Sequence, residues 1–163
     1  MTVNGETAFL ILRARSYMSS VQSELERSSH DIYATNTAAF NLAMAAELTL
    51  KHVLLTNGIE PSRTHSHAQL IKECGTNHIS IPKDLRIITI DLRTWESTTR
   101  YDSGVIIEKA DVENGYVIVK DYIDKVYTDF ITNAYKALKN KFPMELLEDR
   151  TPEKAVLNRL KWL

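Results

Sequence analysis

One stretch of this chain is apolar on nearly every side of a helix, and it limits the possible folds more than any other feature. Between residues 38 and 56, thirteen of nineteen residues are apolar, and many of these are alanines. A helix that is apolar all round must be buried on several sides. Asn41, Glu47, Lys51 and His52 interrupt the stretch, which argues against a membrane span. We therefore expect a central helix near residues 32–57 and no membrane partner.

The segments on either side of this stretch also carry helical periodicity. Apolar residues spaced three and four apart predict a first helix that ends near Ser28. The pattern from Ser66 to Gln69 is that of a capping box and predicts a short third helix. A fourth helix is predicted to open at Pro82, although the β-branched run at residues 87–90 is locally typical of a strand. Its buried stripe is expected to be Leu85, Ile88, Leu92 and Trp95.

The rest of the chain predicts one long helix and one short helix. Asp111 is the expected N-cap of the long fifth helix, and Gly115 weakens its start. Thr151 opens a short amphipathic helix, which packs either on its own bundle or on a second copy. Short loops between long helices favour antiparallel neighbours, so we predict an all-α, up-and-down antiparallel bundle of about five helices plus this C-terminal helix. Residues 1–142 would form the bundle and residues 143–163 a C-terminal extension.

Charge and cysteine content exclude several classes of function. Twenty Lys and Arg residues against 21 Asp and Glu residues give a net charge of −1, so no global field attracts nucleic acid or an anionic membrane. The single Cys74 excludes an internal disulfide and a cysteine-rich zinc site, and it suits a reducing compartment. The first residues lack a signal-peptide pattern, so we expect a cytoplasmic protein. No P-loop, nucleophile elbow, dinucleotide loop or zinc-protease motif occurs, and we expect no metal and no cofactor.

Two groups of polar residues are candidates for function. Glu47 and Lys51 are one turn apart on the apolar helix. They form either an ordinary ion pair or a polar pair that faces a pocket or an interface. Burying such a pair is costly without further partners, which favours the functional interpretation. Arg63, His65 and His67 lie at the start of the third helix, whose free N–H groups and positive end suit a phosphate. The simpler alternative is that His67 packs or caps locally.

Three segments resemble the core of HEPN domains. Residues 45–54 match the family pattern A-x-E-x-x-L-K-x-x-L, Gly58 and residues 64–70 match its glycine and H-x-L helix start, and residues 99–102 are similar to its A-R-Y-P-D turn. The resemblance covers roughly residues 6–141 through short motifs. It implies an all-α bundle that usually dimerises and often acts with a minimal nucleotidyltransferase in toxin–antitoxin or defence settings. The nucleotide-binding role that it implies falls on Glu47, Lys51, His67, Arg100 and Tyr101.

The chain departs from the ribonuclease members of that family. Those enzymes are metal-independent and use an R-x4-6-H motif, whereas the positions after Arg100 hold Val105, Ile106 and Ile107. Without a histidine to carry the proton, we expect no appreciable ribonuclease activity. The resemblance therefore favours a non-catalytic module of the nucleotidyltransferase-associated type that binds a nucleotide, RNA or a partner protein. The alternatives are a ribonuclease with a displaced site, using Arg100 with His65 or His67, and a dimeric scaffold without a ligand.

Dimerisation and ligand placement complete the expectations from sequence. A homodimer is expected from the family resemblance and from a second apolar stripe on the long fifth helix, which one small bundle would not cover entirely. That stripe consists of Tyr127, Ile131, Tyr135 and Leu138. An anionic ligand is expected at the start of the third helix, beside Arg63 and His67. Lys51 or Arg100 would approach it from neighbouring helices.

Overall fold

The structure is a computed structural model that describes residues 4–31, 33–101, 104–143, 147 and 151–160, without the side chains of Thr98, Arg100 and Tyr101. These residues contain helices and no strand, which confirms the all-α prediction. The helices are α1 (Gly5–Arg27), α2 (Ala34–Thr56), α3 (His67–Thr76), α4 (Lys83–Ile87), α5 (Thr89–Tyr101), α6 (Lys109–Lys141) and α7 (Pro152–Leu157).

The apolar stretch forms α2, and α2 is the central helix of the bundle. It packs against α1, α3, α5 and α6, and its alanines and most of its leucines are buried, as predicted. The helix ends before Asn57 and Gly58, and Gly58 adopts a φ of 78°, a left-handed conformation that glycine adopts without strain. By length and composition alone α2 could cross a membrane, but most of its apolar part is buried inside this protein.

The predicted fourth helix is in fact two helices, α4 and α5, and a turn at Ile88 separates them. The break falls inside the β-branched run at residues 87–90, where branched side chains crowd the preceding turn. The Thr89 hydroxyl also donates a hydrogen bond to the Leu85 carbonyl oxygen at 3.1 Å. The predicted stripe is nevertheless buried on one side of the two helices. Periodicity therefore located the buried face correctly and missed the break.

The start of α6 also differs from the prediction. The helix begins at Lys109 after the extended residue Glu108, whose side chain makes no capping bond, so Asp111 lies in the first turn and is not the N-cap. A carboxylate there interacts favourably with the positive end of the helix. Gly115 lies inside α6 and not at its start, at the position where α6 meets the Trp95 ring and the Leu42 side chain. The missing Cβ allows this close approach.

The short helix α7 packs on its own bundle, against α6. Thr151 is its N-cap, as predicted. The Tyr127 hydroxyl donates a hydrogen bond to Glu153 at 2.6 Å, and the Arg15 guanidinium lies 3.9 Å from the centre of the Tyr127 ring. Tyr127, Ile131 and Leu138 are buried within the chain, and only Tyr135 of the predicted second stripe stays partly exposed. One chain therefore covers most of this stripe, and the stripe does not by itself require a second copy.

Candidate functional site

A buried carboxylate, that of Glu47, organises the polar residues of the α2–α3 junction. The side chain is only 2% exposed. Its Oε1 lies 2.8 Å from Lys51 Nζ, and its Oε2 lies 3.0 Å from His65 Nδ1. Each carboxylate oxygen thus accepts a hydrogen bond, which offsets the cost of removing the charge from water. The further partner that a buried Glu47–Lys51 pair requires is His65.

His65 presents its imidazole to solvent, since 58% of the side chain is exposed. Glu47 accepts the hydrogen bond from Nδ1, so in the neutral ring the proton is assigned to Nδ1 and the lone pair to Nε2. The backbone beside His65 is fixed as well, because the Ser66 amide donates to the Thr64 hydroxyl at 3.0 Å. A buried carboxylate therefore orients an accessible imidazole.

The first turn of α3 carries free hydrogen-bond donors. Ser66 is the N-cap, as predicted, and its hydroxyl accepts a hydrogen bond from the Gln69 amide at 3.3 Å. The Gln69 side chain donates to Glu73, 3.0 Å away, so the second half of the capping box does not form. Within the described residues, nothing accepts a hydrogen bond from the amides of His67 and Ala68. These two donors lie at the positive end of the helix, which favours an anion.

His67 lies behind this surface and is completely buried. Its Nε2 donates a hydrogen bond to the Ala43 carbonyl oxygen at 2.8 Å and so ties α3 to α2. Burial lowers the pKa of His67, and the opposing effects of the Ala43 carbonyl and the Glu47 carboxylate are smaller. The side chain is therefore a neutral packing residue, and only its backbone amide is offered to a ligand. This placement agrees with the simpler interpretation of His67.

The segment that carries Arg63 and His65 is tied to α3 through Glu73. The Ser62 amide donates to the Glu73 carboxylate at 3.2 Å, and the Ser62 hydroxyl donates to it as well. Partial desolvation of Glu73 opposes ionisation, but the Ser62 and Gln69 hydrogen bonds and the Lys51 charge together lower its pKa. Arg63 itself is exposed and forms no ion pair with another described residue.

The remaining sequence-predicted residues are Arg100 and Tyr101. Both lie in the last turn of α5, and their side chains are outside the described part of the structure. α5 packs against α3, and the Glu96 carboxylate is close enough to His67 to offset a small part of the pKa lowering that burial causes. The C-terminal half of α5 therefore approaches the α3 start. Among the described residues, no three His, Cys, Asp or Glu side chains are grouped to hold a metal ion.

The structure thus brings together Glu47, Lys51 and His65 beside the free amides of α3. Arg63 lies two residues before His65 in the sequence. The sequence groups His65 with Arg63 and His67 but does not indicate that it pairs with Glu47. The two residues are eighteen positions apart in the sequence, and this separation leaves no periodic signal. Only the cost of burying Glu47 with one partner pointed to a third residue.

Most of the chain matches one known protein family. The family profile described as HEPN domain matches residues 7–126, which include α1 to α5 and the first half of α6. Glu47, Lys51 and His65 all fall within the match. No curated protein and no solved structure shows a significant match.

Proposed function

The chain belongs to the HEPN domain family, and on that premise we propose that it is a non-catalytic, homodimeric module that binds the phosphate of a nucleotide or of RNA. One observation carries the proposal: Lys51 and His65 are held on the two oxygens of buried Glu47, beside two free amides at the start of α3. Backbone N–H groups at a helix start recognise phosphate oxygens, and neighbouring cationic side chains strengthen the contact.

The charge balance of the site sets the expected strength of binding. Glu47 neutralises part of the Lys51 charge, so affinity depends mainly on the α3 amides and on Arg63 and His65. Such a site binds phosphate modestly and weakens as salt rises. Partly exposed apolar side chains of α2, Leu48 and Leu55, lie one turn from Lys51 on either side and offer a surface for a base.

The homodimer is supported by an open face of α2. Partly exposed residues recur along it at spacings of three and four, which is the pattern of a helix that packs against another helix. They are Asn41, Met44, Leu48, Lys51 and Leu55. Because Lys51 belongs to this face, a second copy packed there would lie at the edge of the phosphate site.

Membership of this family also supports a second proposal, that a partner protein binds the open face of α2. We propose a minimal nucleotidyltransferase, in a toxin–antitoxin or defence setting in the cytoplasm. Co-expression of the chain with the product of a neighbouring nucleotidyltransferase gene tests this: a stable complex that Leu48→Lys abolishes is expected. Independent elution of the two proteins would contradict it.

The phosphate site is tested by fluorescence anisotropy with a labelled short single-stranded RNA and with AMP as competitor. Arg63→Ala and His65→Ala are each expected to weaken binding about three- to tenfold, as loss of a charged contact does. Arg13→Ala and His30→Ala, on exposed positions of α1 and the α1–α2 turn, are the matched controls. If all four variants bound the RNA with the affinity of the wild-type chain, the site would be excluded.

A second candidate function, metal-independent ribonuclease, is supported by the Glu47–His65 contact. A buried carboxylate that holds Nδ1–H leaves Nε2 free to accept a proton, as a general base does. Arg100 would stabilise the developing charge. In this case RNA cleavage in the presence of a chelator is lost in His65→Gln, reduced in Glu47→Gln and unchanged in His30→Gln. If the wild-type chain does not cleave RNA, the ribonuclease function is excluded and the proposal of a non-catalytic module stands.

A further inference from the structure

His65 differs in its surroundings from the other histidines of the chain. Its ring is exposed, and its Nδ1 lies 3.0 Å from Oε2 of the buried Glu47 carboxylate. The other four are a buried pair, His52 and His67, and an exposed pair, His30 and His78. The rings of the exposed pair form no hydrogen bond with another described residue. Among the described residues, His65 is therefore the one histidine that is both accessible and held by a carboxylate.

The contact with Glu47 determines which ring nitrogen of His65 is available. Nδ1 lies against a carboxylate that is itself buried, so the opposite edge of the ring, which carries Nε2, faces away from the protein interior. No described residue forms a hydrogen bond with this Nε2. With the proton on Nδ1, Nε2 keeps its lone pair in the plane of the ring. The available nitrogen is therefore the nucleophilic one.

The carboxylate also increases the reactivity of Nε2. When Nε2 forms a bond to an electrophile, the ring becomes positively charged. Glu47 accepts the hydrogen bond from Nδ1 and stabilises that charge as it develops. Lys51 holds the other oxygen of Glu47 at 2.8 Å, which keeps the carboxylate in place. A carboxylate that orients an imidazole and stabilises its cation is the arrangement that activates histidine.

The start of α3 indicates which electrophile suits this nitrogen. His65 directly precedes the N-cap Ser66, and the free amides of His67 and Ala68 follow within three residues. Such amides recognise anionic oxygens, and the exposed Arg63 lies two residues before His65. A phosphoryl group carries anionic oxygens around an electrophilic phosphorus atom. The same surface can therefore hold these oxygens while Nε2 approaches phosphorus.

We propose that His65 is a phosphorylation site, modified on Nε2 by a small phosphoryl donor of the phosphoramidate or acyl phosphate class. The Nε2 lone pair forms the new N–P bond as the bond between phosphorus and the leaving group breaks. The leaving ammonia or carboxylate keeps the electron pair of that bond. The ring keeps its Nδ1 proton and becomes a cation paired with Glu47.

This modification rests on the proposed phosphate site, because the α3 amides and Arg63 receive the transferred group. A phosphoryl group brings about two negative charges. It would therefore occupy the site and exclude the phosphate of a second molecule. Phosphorylation of His65 would in this way switch off nucleotide binding.

Incubating the wild-type chain with phosphoramidate at about pH 8, where exposed imidazoles are neutral, tests the proposal. Mass spectrometry of peptides kept in alkali, where phosphohistidine is stable, gives the rate at each histidine. His65 is expected to react about tenfold faster than His30 and His78, the gain that one charge-assisted hydrogen bond provides. Long-range ¹H–¹⁵N correlation spectra are expected to place the group on Nε2. Equal rates at the three histidines, or modification of His65 on Nδ1, would overturn the proposal.

Two variants connect the reactivity with the carboxylate. Glu47→Gln keeps the shape of the side chain but removes its charge, and it is expected to lower the rate at His65 to that of His30. The matched control is Glu60→Gln, which removes the same charge from an exposed position five residues before His65 and is expected to leave the rate unchanged. An unchanged rate in a folded Glu47→Gln variant would contradict the role of the carboxylate. The comparison of histidines within the wild-type chain needs no variant to fold.

AMP binding, measured on the same wild-type sample before and after phosphorylation, separates this proposal from the proposed function. A chain that binds AMP but reacts no faster at His65 than at His30 contradicts phosphorylation alone. Selective reaction at His65 without AMP binding contradicts the nucleotide site alone. After phosphorylation, AMP affinity is expected to fall about tenfold or more, because two phosphates compete for one site. Unchanged AMP affinity would overturn the switch.

Discussion

At the scale of single residues, two imidazoles link helices through their neutral form. His52 Nδ1 donates to the Thr7 carbonyl oxygen at 2.7 Å, and its ring meets Phe130 edge-on at 5.6 Å. His67 makes the corresponding bond from α3 to α2 through Ala43. Both side chains are completely buried, and each keeps one ring nitrogen without a partner among the described residues. Protonating either ring would place a charge in the core.

From the burial of these two imidazoles we predict that the protein becomes less stable as the pH is lowered. Burial lowers the pKa of both imidazoles below the ordinary value of 6.5, more than their carbonyl partners raise it. Below pH 6.5 the two imidazoles are protonated in the unfolded chain but stay neutral in the folded chain. The free energy of unfolding therefore decreases as the pH falls. Urea unfolding at about pH 8 and about pH 5.5 measures the difference.

Replacing the imidazoles provides the control. His52→Gln and His67→Gln are each expected to be less stable at both pH values but to lose less stability on acidification. Lowered pKa values of Glu73 and Glu153 also reduce stability in acid, but only near and below their ordinary value of 4.5, outside this window. Equal pH dependence in the wild-type chain and both variants would contradict the assignment.

At the scale of helices, the junction of α5, the following linker and α6 depends on two small contacts. Gly115 lets the Trp95 ring and Leu42 approach α6 closely. Asn36 on α2 fixes the linker, since its side-chain amide donates to the Val105 carbonyl oxygen at 2.5 Å and accepts from the Ile107 amide at 2.9 Å. These contacts fix residues 105–107 just before α6 and hold the Trp95 ring against α6.

Gly115→Ala is expected to destabilise the protein although alanine favours helix. An added Cβ would lie 2.9 Å from the Trp95 ring and 3.2 Å from Leu42, and both side chains are buried. Overpacking costs about 1–3 kcal/mol, which exceeds the gain of about 1 kcal/mol in helix propensity. The matched control is Gly75→Ala in α3, where a Cβ meets nothing within 4 Å and a small gain is expected. Thermal melts that rank Gly115→Ala at or above wild type would contradict this packing.

Asn36→Leu tests the linker contact. The variant keeps the size of the side chain but leaves the Ile107 amide and the Val105 carbonyl unpaired, which is expected to cost about 1–3 kcal/mol. Hydrogen exchange of the Ile107 amide should accelerate at the same time, because it loses its acceptor. Slow exchange at Ile107 in the variant would show that the amide has another partner.

At the scale of the whole molecule, the sequence predicts burial better than it predicts contacts between segments. The stripe from Leu85 to Trp95 and the central position of α2 follow from periodicity, because the spacing of apolar residues records which side of a helix is buried. The break at Ile88 depends on side-chain crowding and on the Thr89 hydroxyl, which periodicity does not include. In the site, Glu47 and Lys51 are predictable from helical spacing. The contact with His65 joins separate segments and is not.

Dimerisation is a property of the whole molecule, and the open face of α2 gives its test. Light scattering is expected to report twice the mass of one chain for the wild type and a single-chain mass for Leu48→Lys, because a buried lysine opposes packing of two copies. Val117→Lys, on an exposed position of α6, is the matched control and should remain dimeric. A monomeric wild type, or a dimeric Leu48→Lys variant that is fully folded, would contradict the proposed face.

The central claim is that the α3 start beside Glu47 binds phosphate, and chemical-shift mapping tests it most directly. Titrating AMP and a short single-stranded RNA into labelled protein is expected to shift the amides of His67 and Ala68 first, together with those of Lys51 and His65. The shifts should shrink as salt is raised. Shifts confined to other surfaces, or none at saturating AMP and RNA, would contradict the claim.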